Sequence, residues 1–140
     1  METKITIKLI FLLLLINISA VAQKKKLKRN QYQMTGKIVN DFKMPGNCGY
    51  IGYAIVLEFE INNTSLKNYE DKQIPIIVSC PEFFGENFFE KNKTYTLIFT
   101  DRHKKDLGWT IPNINVLKKY NLKKQYSLVD IKTLSDTSVE

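Results

Sequence analysis

The densest run of chemistry-bearing side chains falls late in the chain. Arg102-His103-Lys104-Lys105 is followed by Trp109, then by Lys118-Lys119-Tyr120 and Lys123-Lys124. Cations interleaved with aromatic rings suit an anionic polymer: the cations pair with phosphate or sulfate, and the rings stack on bases or sugars. Arg102, His103, Lys104, Lys105 and Trp109 are therefore the candidate binding residues. Two observations weigh against them. Asp101 and Asp106 dilute the charge, and a basic surface stretch is commonly just solvated. Trp109, between Gly108 and Thr110, would equally serve to cover one end of a sheet.

Catalytic constellations are missing. The single histidine, His103, excludes a two-histidine metal centre, and Cys48 and Cys80 match no zinc spacing. Gly-x-Ser-x-Gly, His-Glu-x-x-His and phosphate-cradling glycine loops do not occur. Glu58 and Glu60 share one face of a strand and offer a carboxylate pair, but charges on a solvent face explain them more cheaply. Cys48 or Cys80 as a nucleophile would need a free thiol near His103. No catalytic residue, metal ligand or cofactor is expected.

The elements that must position these residues are read from alternation. Tyr53, Ile55, Leu57, Phe59 and Ile61 fall on one face of a strand, with Glu58 and Glu60 on the other. Ala54 and Val56 make the first half of this strand apolar on both faces, so that half should be covered twice. Before it, residues 32–39 alternate around Gly36, which marks a bulge or bend, and Met44-Pro45-Gly46-Asn47 reads as a turn. After it, a polar connection from Asn62 to Lys72 leads into a strand over 73–80, whose Pro75 places that end at an edge. The strands over 50–61 and 73–80 should pair as a hairpin. Cys48 and Cys80 then lie at the same end of it, and the even cysteine count suggests a bridge between them wherever the chain meets an oxidising compartment.

Ser79-Cys80-Pro81-Glu82 has the form of a capping box, with Gly85 limiting the short helix. Phe83, Phe84, Phe88 and Phe89 straddle that helix and would plug the open end of a curled sheet. Strands follow at 94–100 (Tyr95, Leu97 and Phe99 inward) and 125–134 (Val129 and Ile131 on one face). Residues 115–119 suit a helical turn.

The chain begins with Lys4 and Lys8, an apolar run from Leu9 to Ile16, and Ala20-Val21-Ala22. Positive, then apolar, then Ala-x-Ala is the order of a secretory signal. The apolar run is about half the roughly 20 residues a membrane span requires. Residues 1–22 are thus expected to be removed, leaving Gln23 first. The Ala-x-Ala-Gln junction resembles those of proteins exported by Gram-negative bacteria, so a periplasmic or extracellular location is expected. No later segment could span a membrane. The formal charge of +7 is concentrated in Lys24, Lys25, Lys26, Lys28 and Arg29, so 23–31 reads as a basic flexible tail, 32–134 as a nearly neutral domain, and 135–140 as a frayed end.

The order strand, strand, strand, short helix, strand, strand resembles the OB-fold, a five-stranded Greek-key β-barrel. The fold class expected is therefore mainly β, a small OB-like barrel over 32–134. A small open sandwich or a lipocalin-like fragment is the rival. The stretch Ile76-Ile77-Val78-Ser79-Cys80-Pro81-Glu82-Phe83-Phe84, running on to Lys93-Thr94-Tyr95-Thr96-Leu97, resembles the corresponding part of exported OB-type proteins such as the haem chaperone of cytochrome c maturation. That family attaches haem through a His-x-x-x-Tyr motif. Here Leu107 stands four residues after His103, so haem chaperoning is not implied.

These readings lead to an exported, non-catalytic binding or accessory module whose partner is an envelope protein, a glycan or a lipid headgroup; export weighs against nucleic acid. One rival is a thiol-dependent redox or hydrolytic protein using Cys48 or Cys80. Another is an anionic-polymer binder acting through residues 102–124.

Overall fold

The computed structural model describes residues 26–102 and 108–134. The signal-like segment 1–22, Lys24, Lys25, the candidates His103, Lys104 and Lys105, and the C-terminal end 135–140 lie outside the described residues. Five strands are formed: β1 Gln31–Ile38, β2 Ala54–Thr64, β3 Gln73–Ser79, β4 Thr94–Thr100 and β5 Tyr126–Thr133. They close a barrel in the order β1-β2-β3-β5-β4. All neighbours are antiparallel except β3 and β5, which run parallel and pair only at Ile76↔Tyr126 and Ile77↔Ser127. A 3-10 turn, Pro81–Phe84, follows β3. This is the OB-like arrangement expected from the element order.

Closure depends on β1, which pairs with β2 on one side and β4 on the other. It must coil between them, and the register shift at Thr35/Gly36 supplies the bend. A Cβ at Gly36 would sit 2.8 Å from the Glu60 carbonyl oxygen, so only glycine allows this approach. The inward residues form one core that includes Met34, Ile38, Ile55, Leu57, Phe59, Ile74, Ile76, Val78, Tyr95, Leu97, Phe99, Tyr126 and Ile131.

The phenylalanine plug is present. Phe84, Phe88 and Phe89 contact one another at ring-centroid distances of 5.0–5.6 Å, and Phe88 meets Tyr95 at 5.8 Å. Buried Tyr95 finds partners there too: its hydroxyl donates to the Phe88 carbonyl and accepts from the Glu90 N–H. Phe83 is the exception, turned outward and 77% exposed.

Several local expectations are corrected. The capping box does not form. Cys80 is the N-cap, at φ 46°, and no side chain caps the turn. Glu82 instead accepts a hydrogen bond from the Cys48 N–H, because the bridge draws that loop over the turn. β2 runs through Asn62 and Asn63 to Thr64, since β1 offers ladder partners there in spite of the polar side chains. Val129 is exposed rather than inward. A bulge at Ile98/Phe99 makes Leu128 and Asp130 the neighbours of consecutive β4 residues, so β5 gains a residue at Val129 and the alternation resets before Ile131.

Cys48 and Cys80 are bridged, with Cα atoms 5.5 Å apart, at the same end of the β2–β3 hairpin as expected. The described residues include no helix long and apolar enough to cross a membrane.

Candidate functional site

β1 ends at Ile38 opposite Phe59, so the first half of β2 loses its neighbour on that side. Buried backbone groups there need other partners. The excursion between β4 and β5 provides them. The Thr110 carbonyl accepts from the Ala54 N–H, and the Thr110 N–H donates to the Gly52 carbonyl. The Asn113 side chain then acts as a strand in miniature: its Oδ1 accepts from the Val56 N–H at 2.9 Å, and its Nδ2 donates to the Val56 carbonyl at 2.7 Å. The Asn40 side chain completes the edge by accepting from the Glu58 N–H and donating to the Val56 carbonyl.

This edge docking lays the excursion over the outer face of the barrel. Ala54, Val56 and Ile77 form a second apolar cluster covered by Trp109, Ile111, Val116 and Leu117. The first half of β2 is thus buried on both faces, as its composition requires. Trp109 lies against Gly52, where a Cβ would come within 2.8 Å of the indole ring. In an OB barrel the outer face of the second and third strands commonly receives the ligand; in this chain that face is occupied by the chain itself.

Two ionic pins hold the excursion. Glu58 is 4% exposed and lies beneath the 3-10 turn Ile114–Lys119. Its carboxylate accepts from the Tyr120 hydroxyl at 2.9 Å and pairs with Lys119 Nζ at 3.2 Å. Burial, reinforced by the Glu58 charge, pushes the Tyr120 hydroxyl pKa up. Glu58 is therefore no solvent-face residue. Glu60 pairs with Lys37 instead, so the two glutamates serve separate cations. At the root of the excursion Lys124 Nζ lies 2.6 Å from Asp101 Oδ2, and the Tyr32 hydroxyl donates to the same oxygen at 3.3 Å. The Lys124 hydrogen bond holds the Asp101 carboxyl below its usual range.

The basic stretch of the sequence is thus divided by the fold. Lys119 and Lys124 are taken by buried carboxylates. Arg102 and Trp109 instead line an open groove of about 1110 Å³. Its floor is the last rung of the β3–β5 ladder, Ile77 and Ser127, and the opening beyond it at Ser79 and Val129, with Phe84 also lining the groove. The other cations on its wall are Lys28 and Arg29, the end of the basic run before β1. Both remain exposed, as a solvated run requires. They are nonetheless placed: the Gln31 N–H donates to the Lys28 carbonyl, and the Thr100 hydroxyl donates to the Asn30 carbonyl. Gln31 pairs with Thr100 across β1 and β4, which sets Lys28 and Arg29 beside Arg102. The sequence marked these two as basic but gave no sign that they would join the candidate site.

Three positive side chains, one indole and no carboxylate stand among the described residues lining this groove. Such a lining attracts an anion and gives a ring or apolar surface to rest against. Elsewhere, the sulfurs of Cys48 and Cys80 and a Glu82 carboxylate oxygen lie within 4.8 Å of one another. The bridge occupies both sulfurs, so in this form neither is available as a metal ligand or as a thiolate nucleophile.

Comparison of the chain with protein-family models, with curated proteins and with solved structures finds no match.

Proposed function

We propose that this protein is a non-catalytic binding module of the small exported OB-fold type, acting outside the cytoplasm and holding an anionic ligand in the groove between β3, β5 and the β4–β5 excursion. One observation carries the reading: Lys28, Arg29 and Arg102 come from distant parts of the sequence and converge beside Trp109 with no lining carboxylate among the described residues. Cations on one wall with no carboxylate partner among the described residues, while neighbouring Lys119 and Lys124 are neutralised, form a local positive field. Export is supported by the charged, apolar and Ala-x-Ala order of residues 1–22 and by the Cys48–Cys80 bridge, since disulfides persist in oxidising compartments.

Trp109 is the only tryptophan of the chain and therefore reports on the groove by its fluorescence. Titration with dextran sulfate, polygalacturonate and inositol hexakisphosphate is expected to change that emission for at least one of them, with affinity falling as salt rises. Arg102→Gln, and Lys28→Gln with Arg29→Gln, should each weaken the response. Emission unchanged by all three anions at low salt would refute the reading.

A further inference from the structure

The loop and turn joined by the Cys48–Cys80 bridge carry an apolar tip that belongs to neither apolar cluster. Tyr50 is fully exposed, Phe83 is 77% exposed and Ile51 is 52% exposed. The chain gathers them deliberately. The Cys48–Cys80 bridge ties the loop carrying Tyr50 and Ile51 to the turn carrying Phe83, and the Cys48 N–H bonded to Glu82 fixes the same junction a second time. Exposed apolar side chains brought onto joined loops mark a contact surface rather than a core. Ser79 and Phe84, the residues flanking the Cys80–Phe83 turn, both line the groove. The turn that carries Phe83 therefore borders the groove that Lys28, Arg29 and Arg102 line.

We propose that this surface docks on an anionic phospholipid bilayer: Tyr50, Ile51 and Phe83 enter the interfacial region while the groove cations take the headgroup phosphates. Apolar burial plus attraction to anionic headgroups is the combination that holds a peripheral protein at a membrane. A soluble polyanion would use the cations and leave the tip in water; a lipid surface uses both. Charge complementarity calls for an anionic partner and the exposed apolar side chains select the lipid among such partners; the proposal rests on the anion-binding reading of the groove for half of its attraction.

The test is sedimentation of the chain from residue 23, which contains every described residue, with vesicles of 30% phosphatidylglycerol in phosphatidylcholine and with pure phosphatidylcholine. Binding to the anionic vesicles is expected, weaker at high salt and weak to the neutral ones. Ile51→Ser combined with Phe83→Ser should lower it by about tenfold or more, from the apolar area withdrawn, with no change in thermal midpoint because both side chains are exposed. Arg102→Gln should lower it on anionic vesicles only. Absence of vesicle binding while dextran sulfate still shifts Trp109 emission would overturn the lipid proposal and leave the groove reading intact. Vesicle binding indifferent to the Ile51 and Phe83 changes would overturn it as well. Failure with both vesicles and polyanions would overturn the two readings together.

Discussion

Asn113 offers the sharpest test of how the excursion is held. Its side chain makes two hydrogen bonds to Val56, a residue with no solvent exposure. In Asn113→Ala the Val56 carbonyl keeps the Asn40 amide at 3.2 Å, but the Val56 N–H loses its partner. A buried donor left unpaired costs about 1–3 kcal/mol. Adding part of the lost second bond gives an expected destabilisation of about 2–3 kcal/mol. Against a typical total of about 5–15 kcal/mol this is a large fraction. In urea unfolding, with a slope of about 1–3 kcal/mol per molar, the midpoint should fall by about 0.7–3 M. Hydrogen exchange at the Val56 amide should accelerate in the same variant. Asn115→Ala, exposed and two residues on, is the control and should stay within about 0.5 kcal/mol. A loss below about 0.5 kcal/mol for Asn113→Ala would mean that water readily replaces the amide, and the account of the excursion as a pinned cover would be wrong.

Other consequences are as direct. Cys48→Ala with Cys80→Ala opens a bridge spanning 32 residues, and chain entropy alone predicts a loss of about 4 kcal/mol, read from denaturant midpoints. Asp101 holds its charge more firmly folded than unfolded, so its contribution is complete above the ordinary carboxylate value of about 4 and fades as pH falls through the lowered folded value. Asp101→Asn should accordingly be less stable at neutral pH and show a flatter decline of thermal midpoint below pH ~4; an unchanged profile would count against the Lys124 pin. Gly52→Val drives a side chain into the Trp109 ring and should shift its emission to longer wavelength, whereas an unaltered spectrum would place the indole elsewhere.

Much of the barrel was legible in the residue order. Period-2 alternation is local, so Ile55, Leu57 and Phe59, or Tyr95, Leu97 and Phe99, declare their face without reference to anything distant. Gly36 announced its bulge, and the doubly apolar start of β2 announced a second cover. Glu58 was misread because a charged residue on an outer face looks solvated until something lies on it. That something is Tyr120, more than sixty residues later. Val129 was misread because a bulge changes which face follows, and bulges are set by the neighbouring strand.

Local chemistry, then, determined five strands, a phenylalanine plug and two cysteines close enough to bridge, because each depends on side-chain order over a few residues. Only the closed barrel decided which cations remain available. The Gln31↔Thr100 pairing carries the end of the basic run to Arg102, while the folded excursion hands Lys119 and Lys124 to buried carboxylates. Charge is additive along a sequence, but whether a given charge is neutralised depends on distances that strand pairing alone creates.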